Sequence, residues 1–228
     1  MDNGISARAL RYWETKQAVS ANNLANLSTP GFKAERVFAQ LLDEASLTAR
    51  SMTDFSEGAL NPTGRPLDVA LVGDGFIVLQ TDEGPRWSRG GSLSLTADGV
   101  LVDGAGHALV GEHGDIVLPS GGAIEITQGG EVLVDGSLVD RLVLQRSTVA
   151  GGPERAGGNL WIPTAQSERV PAGALVLKQG HLEESNVDAV GAMVEMIEIQ
   201  RAYQAVQRSM ITQDEAHHTI TAQVGRLS

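Results

Sequence analysis

Apolar positions near the C-terminus recur in alternating steps of three and four residues. The series runs from Ala189 to Leu227, and only Gln213 and His217 interrupt it with polar side chains. A repeat of this kind over about five heptads is typical of a long helix that packs along another helix. A second apolar stripe is predicted to face the interior at the start of this helix; its members are Val190, Val194 and Ile197.

A shorter helix is predicted at the N-terminal end, over residues 5–27. No Gly or Pro interrupts this segment, and apolar side chains such as Tyr12 and Val19 fall at helical spacing. Proline disfavours helix at the residue before it, so the helix should end close to Pro30. The amides of Asn22, Asn23 and Asn26 are predicted to close this helix end by bonding nearby backbone.

The middle of the chain has a different pattern, with short apolar runs between turn residues. From about residue 65 to residue 179, runs such as 67–71 and 76–79 alternate with Asp-Gly and Gly-rich turns. Closely spaced short strands with such turns are typical of an antiparallel all-β domain.

These three zones predict an α+β fold in which the N- and C-terminal helices pair in a coiled-coil-like manner and an antiparallel all-β domain is inserted between them. The predicted bounds are residues 1–35 and 182–228 for the paired helices, 36–66 for a connecting segment and 67–181 for the β-rich outer domain.

Composition narrows the classes of function. The formal net charge of -11 and the lack of a basic stripe argue against nucleic-acid binding. The absence of cysteine excludes disulfides and thiolate metal sites. No apolar run is long enough for a membrane span, and the N-terminus has no secretory signal pattern. We therefore expect no membrane insertion, and any export would have to proceed without a cleaved signal peptide.

Candidate catalytic and ligand-binding groups are few. Adjacent histidines at His217 and His218 point in different directions on a helix and do not form a metal site. Glu183 and Glu184 are too close in sequence for paired-carboxylate chemistry, and their place before the C-terminal helix suits its positive end. The methionines near Tyr203 fit helix packing better than a ligand groove. We therefore expect no enzyme activity, cofactor or metal.

Three sets of residues form recognisable motifs. The first is the run from Ser20 to Lys33, which contains Asn-Asn-Leu-Ala-Asn and Thr-Pro-Gly-Phe. The second is 182–188 with Met-Ile at 196–197 and the Gln-Arg-Ala-Tyr run at 200–203. The third lies between them and comprises 67–76 and the Ser-Arg-Gly-Gly-Ser run at 88–92. Together these motifs resemble the flagellar basal-body rod and hook protein family, the third resembles the start of that family's β domain, and the resemblance covers nearly the whole chain in the family's order.

The resemblance implies a structural subunit of the bacterial flagellar rod that polymerises into a helical drive-shaft tube. The sequence at residues 65–71 is most similar to the proximal-rod type of the family, and the distal-rod or hook type is the alternative. The implied partners are other copies, other rod subunits and the flagellar type III export apparatus, and the implied place is the basal body within the cell envelope.

The resemblance and the apolar stripe together indicate residues that make assembly contacts. These are Asn22, Asn23, Leu24, Asn26, Phe32, Met196, Ile199, Tyr203, Val206, Met210, Ile220 and Val224. A different class of function, a cell-envelope glycan hydrolase docked through its helices, is disfavoured by the missing catalytic groups.

Overall fold

The computed structural model describes the backbone of residues 3–43, 46–149, 151–171 and 173–224, and side chains over 8–39, 49–149, 151–171, 173–212 and 215. The described residues divide into two compact units. The terminal unit comprises the described parts of 1–27, 34–54 and 187–228, and the β unit comprises those of 28–33 and 55–186.

The terminal unit contains two helices and a β-hairpin. Its elements are α1 (Asn3–Ala25), β1 (Glu35–Asp43), β2 (Ser46–Thr53) and α2 (Ala189–Val224). Helix α1 packs against α2 and also against both strands of the hairpin. Strands β1 and β2 are antiparallel, with Arg36 opposite Met52 and Phe38 opposite Arg50. One part of the surface of α1 therefore contacts α2, and another part contacts the hairpin β1–β2.

The β unit is built from eighteen short strands among the described residues. They are β3 (Leu60–Pro62), β4 (Asp68–Gly73), β5 (Phe76–Thr81), β6 (Gly84–Ser88), β7 (Gly90–Ser92), β8 (Ser94–Leu95), β9 (Leu101–Val102), β10 (Ala108–Gly111), β11 (Gly114–Asp115), β12 (Ile124–Ile126), β13 (Glu131–Val134), β14 (Ser137–Arg141), β15 (Leu144–Ser147), β16 (Arg155–Gly157), β17 (Leu160–Trp161), β18 (Ser167–Arg169), β19 (Leu175–Gln179) and β20 (His181–Glu183).

These strands form four sheets, and all of their pairings in the described residues are antiparallel. The largest sheet has the order β16-β17-β6-β5-β10-β9-β8, with β11 on β10, β15 on β5 and β18 on β15. Two three-stranded sheets have the orders β12-β13-β14 and β19-β4-β7, and β20 pairs with β3. The prediction that the strands in the middle of the chain pair in antiparallel fashion is confirmed.

Two buried clusters hold the β unit together. The larger is aliphatic and joins alternate residues of the central strands, including Val69, Leu71, Ile77 and Leu79. The smaller is aromatic, with Phe76 stacked on Trp87 at 5.1 Å between ring centroids. Burial of these side chains supplies most of the favourable free energy of folding for the unit.

The predicted fold class is wrong. Within the described residues, twenty strands in five sheets outweigh two helices, so the protein is β-rich and not an all-β domain framed by a coiled-coil-like helix pair. The hairpin β1–β2 packs on α1 beside α2. Residues 35–53 contain no Gly or Pro, so this hairpin lacks the turn residues from which the other strands were recognised.

The predicted orientation of the second stripe on α2 is also wrong. Val190, Val194 and Ile197 are at least half exposed and do not face the interior. They lie on the side of α2 opposite Ile199, which is fully buried. Because apolar residues occupy both sides of the first turns, the sequence alone could not indicate which side is packed.

Candidate assembly site

The stripe predicted on α2 is the less exposed side of the helix. Ile199 is fully buried, and Met196, Tyr203, Val206 and Met210 are half-buried. The structure therefore brings these five side chains to one side of α2. The side chains of Ile220 and Val224, which belong to the same prediction, lie outside the residues whose side chains are described.

Polar contacts with α1 border this stripe. The Tyr203 hydroxyl donates to Glu14 Oε1 at 3.3 Å, and Lys16 Nζ lies 3.0 Å from Glu195 Oε1. Both contacts are partly exposed, so they fix the alignment of the two helices more than they stabilise the protein.

Of the asparagines at the end of α1, Asn26 bonds the helix-end backbone as predicted, whereas Asn23 bonds the backbone of β1. The buried Asn23 side chain donates to the Glu35 carbonyl at 2.8 Å and accepts from the Glu35 N–H at 2.9 Å. The Asn23 amide thus exchanges one donated and one accepted hydrogen bond with Glu35, as a hydrogen-bonded residue pair does in an antiparallel sheet. These bonds join α1 to β1. Asn26 Nδ2 donates to the Asn22 carbonyl at 2.9 Å, while Asn22 is exposed and Leu24 is half-buried.

Phe32 lies in the β unit and is buried. The guanidinium of Arg155 is 4.6 Å from the centroid of the Phe32 ring, and its Nη2 donates to the carbonyl oxygen of Lys33 at 2.5 Å. Arg155 therefore covers the aromatic ring and holds the backbone that follows it.

A buried ionic cluster connects the three motifs that carried the family resemblance. Lys33 Nζ donates to Glu183 Oε1 at 2.6 Å and to the Ser56 carbonyl at 2.7 Å. The same carboxylate oxygen accepts the Gly58 N–H at 2.8 Å. Arg89 Nη2 lies 3.7 Å from Glu183 Oε2. One residue from each motif thus meets in this cluster.

Arg89 contributes more than charge to the cluster. Its Nη1 donates to the carbonyls of Gly73 and Gly75, and its Nη2 donates to the carbonyl of Leu71. The guanidinium therefore holds the end of β4 and the turn that leads into β5 through three backbone carbonyls.

Burial dominates the electrostatics of both cations. Burial lowers the pKa of Lys33, and its hydrogen bond to Glu183 opposes that shift. Burial also lowers the pKa of Arg89, against the attraction of Glu183. Each cation therefore depends mainly on Glu183 to offset its loss of hydration.

The role predicted for Glu183 is wrong. Glu183 lies in β20 and is buried against Lys33, and it does not serve the positive end of α2. Asp188 occupies that end, with Oδ1 accepting the Val190 N–H at 3.1 Å. The signal available in the sequence was one cation in each of two motifs, Lys33 at the end of 20–33 and Arg89 in 88–92.

Two glycines of the motifs are required by close backbone contacts. A Cβ at Gly73 would lie 2.5 Å from the Ala174 carbonyl oxygen, and a Cβ at Gly90 would collide with the carbonyl oxygen of Val69. Both have positive φ, at 107° and 88°. Only glycine combines this backbone conformation with such close approach.

Among the described residues, no three His, Asp or Glu side chains gather in a way that could hold a metal ion. Neither helix, in its described part, has an apolar stretch long and uncharged enough to cross a membrane.

Comparison with known proteins decides the family. The chain is 34% identical to the flagellar basal-body rod protein FlgF of Salmonella typhimurium, over 88% of both chains. The chain belongs to the flagellar basal-body rod protein family. The profile described as "Flagella basal body rod protein" matches residues 4–33, and that described as "Flagellar basal body rod FlgEFG protein C-terminal" matches residues 178–222.

Other members of the rod family are similar to nearly the same extent. The chain is 35% identical to FlgF of Rhizobium meliloti over 82% of each chain. It is 30% identical to FlgG of Bacillus subtilis over 93% of this chain and 94% of that one. The protein is thus a structural protein of the flagellar basal-body rod, and the predicted family and function are confirmed.

The family profiles end close to the buried cluster. The N-terminal profile ends at Lys33 and the C-terminal profile begins five residues before Glu183. The two ends of the rod protein therefore meet in the β unit through an ion pair as well as in the terminal unit through helices.

Proposed function

We propose that this rod protein is a non-enzymatic subunit of the proximal rod. It joins further copies and other rod subunits into a helical drive shaft within the cell envelope. The supporting observation is family similarity along most of the chain, to FlgF proteins as well as FlgG. The proximal type is preferred because the sequence at residues 65–71 resembles that type more than the distal type.

The proposed assembly contacts lie in the terminal unit, except Phe32, which lies in the β unit. The exposed or half-buried members of the predicted set contact neighbours directly, and the buried members Asn23, Phe32 and Ile199 position the chain around them. The whole proposed set is Asn22, Asn23, Leu24, Asn26, Phe32, Met196, Ile199, Tyr203, Val206, Met210, Ile220 and Val224.

The proposed route to the rod is the flagellar type III export apparatus, without a cleaved signal peptide. Family membership supports this route, since a rod subunit must reach the growing end of the shaft. The N-terminal sequence of the protein recovered from isolated basal bodies tests it. An N-terminus at the encoded start supports the proposal, and a shortened one contradicts it.

A deletion strain tests the function itself. Electron micrographs of envelopes from the deletion strain should lack complete rods and filaments, and the wild-type gene supplied in trans should restore both. Normal rods in the deletion strain would overturn the proposal. The non-enzymatic part is tested separately, because release of soluble fragments from cell-wall glycan by the purified protein would contradict it.

A further inference from the structure

The hairpin β1–β2 has two unlike faces. Residues directly opposite in antiparallel strands point to the same side, so Arg36, Phe38, Arg50 and Met52 share one face. All four are exposed, with Phe38 at 50% and Met52 at 49%. Within the described part, the other face has mostly half-buried side chains. The exposed face, here called the Arg-Phe face, therefore lacks a cover within the described chain.

The Arg-Phe face alternates cationic and apolar side chains. Arg36 stands opposite Met52 and Phe38 stands opposite Arg50, so each apolar group is beside a guanidinium. Arg36 also forms an ion pair with Asp54 at 2.9 Å. In a chain with a net charge of -11 this is a concentrated basic and apolar surface. Its complement is a surface that is both apolar and acidic.

The first turns of α2 provide an apolar surface with one acidic residue, Glu198, at its edge. Val190 is 71% exposed, and Met193, Val194 and Ile197 are at least half exposed. Glu198, also exposed, lies beside Val194 one turn along the helix. This surface, here called the α2 face, faces away from the half-buried stripe. Two exposed, complementary surfaces therefore lie on the same unit of one chain.

We propose that the Arg-Phe face of one copy docks on the α2 face of a second copy of this chain, with Arg50 paired to Glu198. The inference rests on the proposed function. Because the two surfaces differ, the contact is heterologous and each copy keeps one surface for the next. A contact of this type generates an open-ended helical assembly when its rotation does not close into a ring, as a rod requires. A two-stranded hairpin is marginal alone and gains stability from such a cover.

Disulfide trapping tests this contact, since the chain has no cysteine of its own. Two differently tagged copies, one with Met52→Cys and one with Val194→Cys, are expressed in the deletion strain, and isolated basal bodies are mildly oxidised. The expected product is a band of twice the chain mass that carries both tags. The matched control is Ser51→Cys, on the opposite face of the same strand, which should give about tenfold less product because of disulfide geometry.

A charge exchange gives a second, independent readout. Glu198→Arg should reduce the amount of protein in isolated basal bodies, and Arg50→Glu together with Glu198→Arg should recover it. The contact would be overturned if both tagged copies were present in basal bodies but no band carried both tags, and if the double charge exchange did not restore the amount of protein. The proposed function would then still stand. A band joining one copy to a different rod protein would also overturn it. Absence of both copies from intact basal bodies would overturn the function and the contact together.

Discussion

Lys33 and Glu183, 150 positions apart in the sequence, form a fully buried ion pair with 2.6 Å between Nζ and Oε1. A buried ion pair adds little net stability by comparison with apolar residues in its place. Loss of one partner, however, leaves the other charge buried and unpaired. The pair therefore makes the β unit depend on both ends of the chain, and the dependence is measurable.

Glu183→Gln should lower the free energy of unfolding of the β unit by about 3–5 kcal/mol, because Lys33 and Arg89 then lack their carboxylate. Lys33→Met should cost less, since Glu183 keeps Arg89 and the Gly58 N–H. Urea unfolding followed by the fluorescence of Trp87 and Trp161 in a Trp13→Phe background measures both. Lys178→Met, at an exposed lysine, is the control. Equal costs for Glu183→Gln and Lys178→Met would contradict the prediction.

Gly90→Ala should destabilise the β unit more than Gly84→Ala does. Both glycines have positive φ, so both substitutions carry the strain of that conformation, about 1–3 kcal/mol. A methyl group at Gly84 meets open space, whereas one at Gly90 meets the Val69 carbonyl and the Leu71 side chain. The difference between the two melting temperatures isolates the steric contribution to the destabilisation. Similar melting temperatures would show that β4 and β7 can move apart at Gly90 without cost.

The pair formed by His113 and Asp140 should make stability depend on pH. The hydrogen bond with Asp140 raises the pKa of His113 above 6.5. Burial would raise the pKa of Asp140, but hydrogen bonds from His113 and Arg141 outweigh it and lower the pKa below 3.8.

The two shifts define a pH window. The His113 contribution is complete below pH 6.5 and is lost as the pH rises through its folded pKa. The Asp140 contribution is complete above pH 3.8 and is lost as the pH falls through its folded pKa. The melting temperature of the wild type minus that of His113→Ala should therefore be largest between these values. A difference that stays constant from acid to alkaline pH would contradict the prediction.

Val206→Asp should abolish motility while the β unit stays folded. Val206 is half-buried in the α2 stripe, and an aspartate there places an unpaired charge on a packed surface. Arg208→Asp, two residues along at an exposed position, should leave swimming in soft agar unchanged. Tryptophan fluorescence of the purified variants checks that the β unit is intact. Equal damage from both substitutions would show that the stripe is not an assembly surface.

The sequence indicated the helices and the central strands because each has a local signal. Periodic apolar residues marked α1 and α2, and Asp-Gly or Gly-rich turns marked the strands after residue 65. The hairpin β1–β2 was missed because its turn carries neither Gly nor Pro. Its stability comes from packing on α1, which is a tertiary contact that local patterns do not contain.

The candidate site was predictable only in part. The stripe through Ile199 followed from helical spacing, but the exposure of Val190 and Val194 depends on where α1 lies. The ion pair of Lys33 with Glu183 joins distant segments, and proximity in the sequence suggested a different role for Glu183. Contacts of this kind follow from topology and not from spacing. The predicted domain bounds and assembly residues stay predictions.

The connection between Ser56 and Asn186 affects how this fold can change in evolution. Asn186 Nδ2 donates to the Ser56 carbonyl at 3.0 Å and to its hydroxyl at 3.1 Å. The second passage of the chain through the β unit, over residues 55–186, therefore begins and ends at adjacent points that are bonded to each other. Insertions or deletions between these residues leave the spacing of the two connections unchanged. The β unit can thus grow, shrink or be exchanged as a cassette while the two connections at Ser56 and Asn186 stay adjacent.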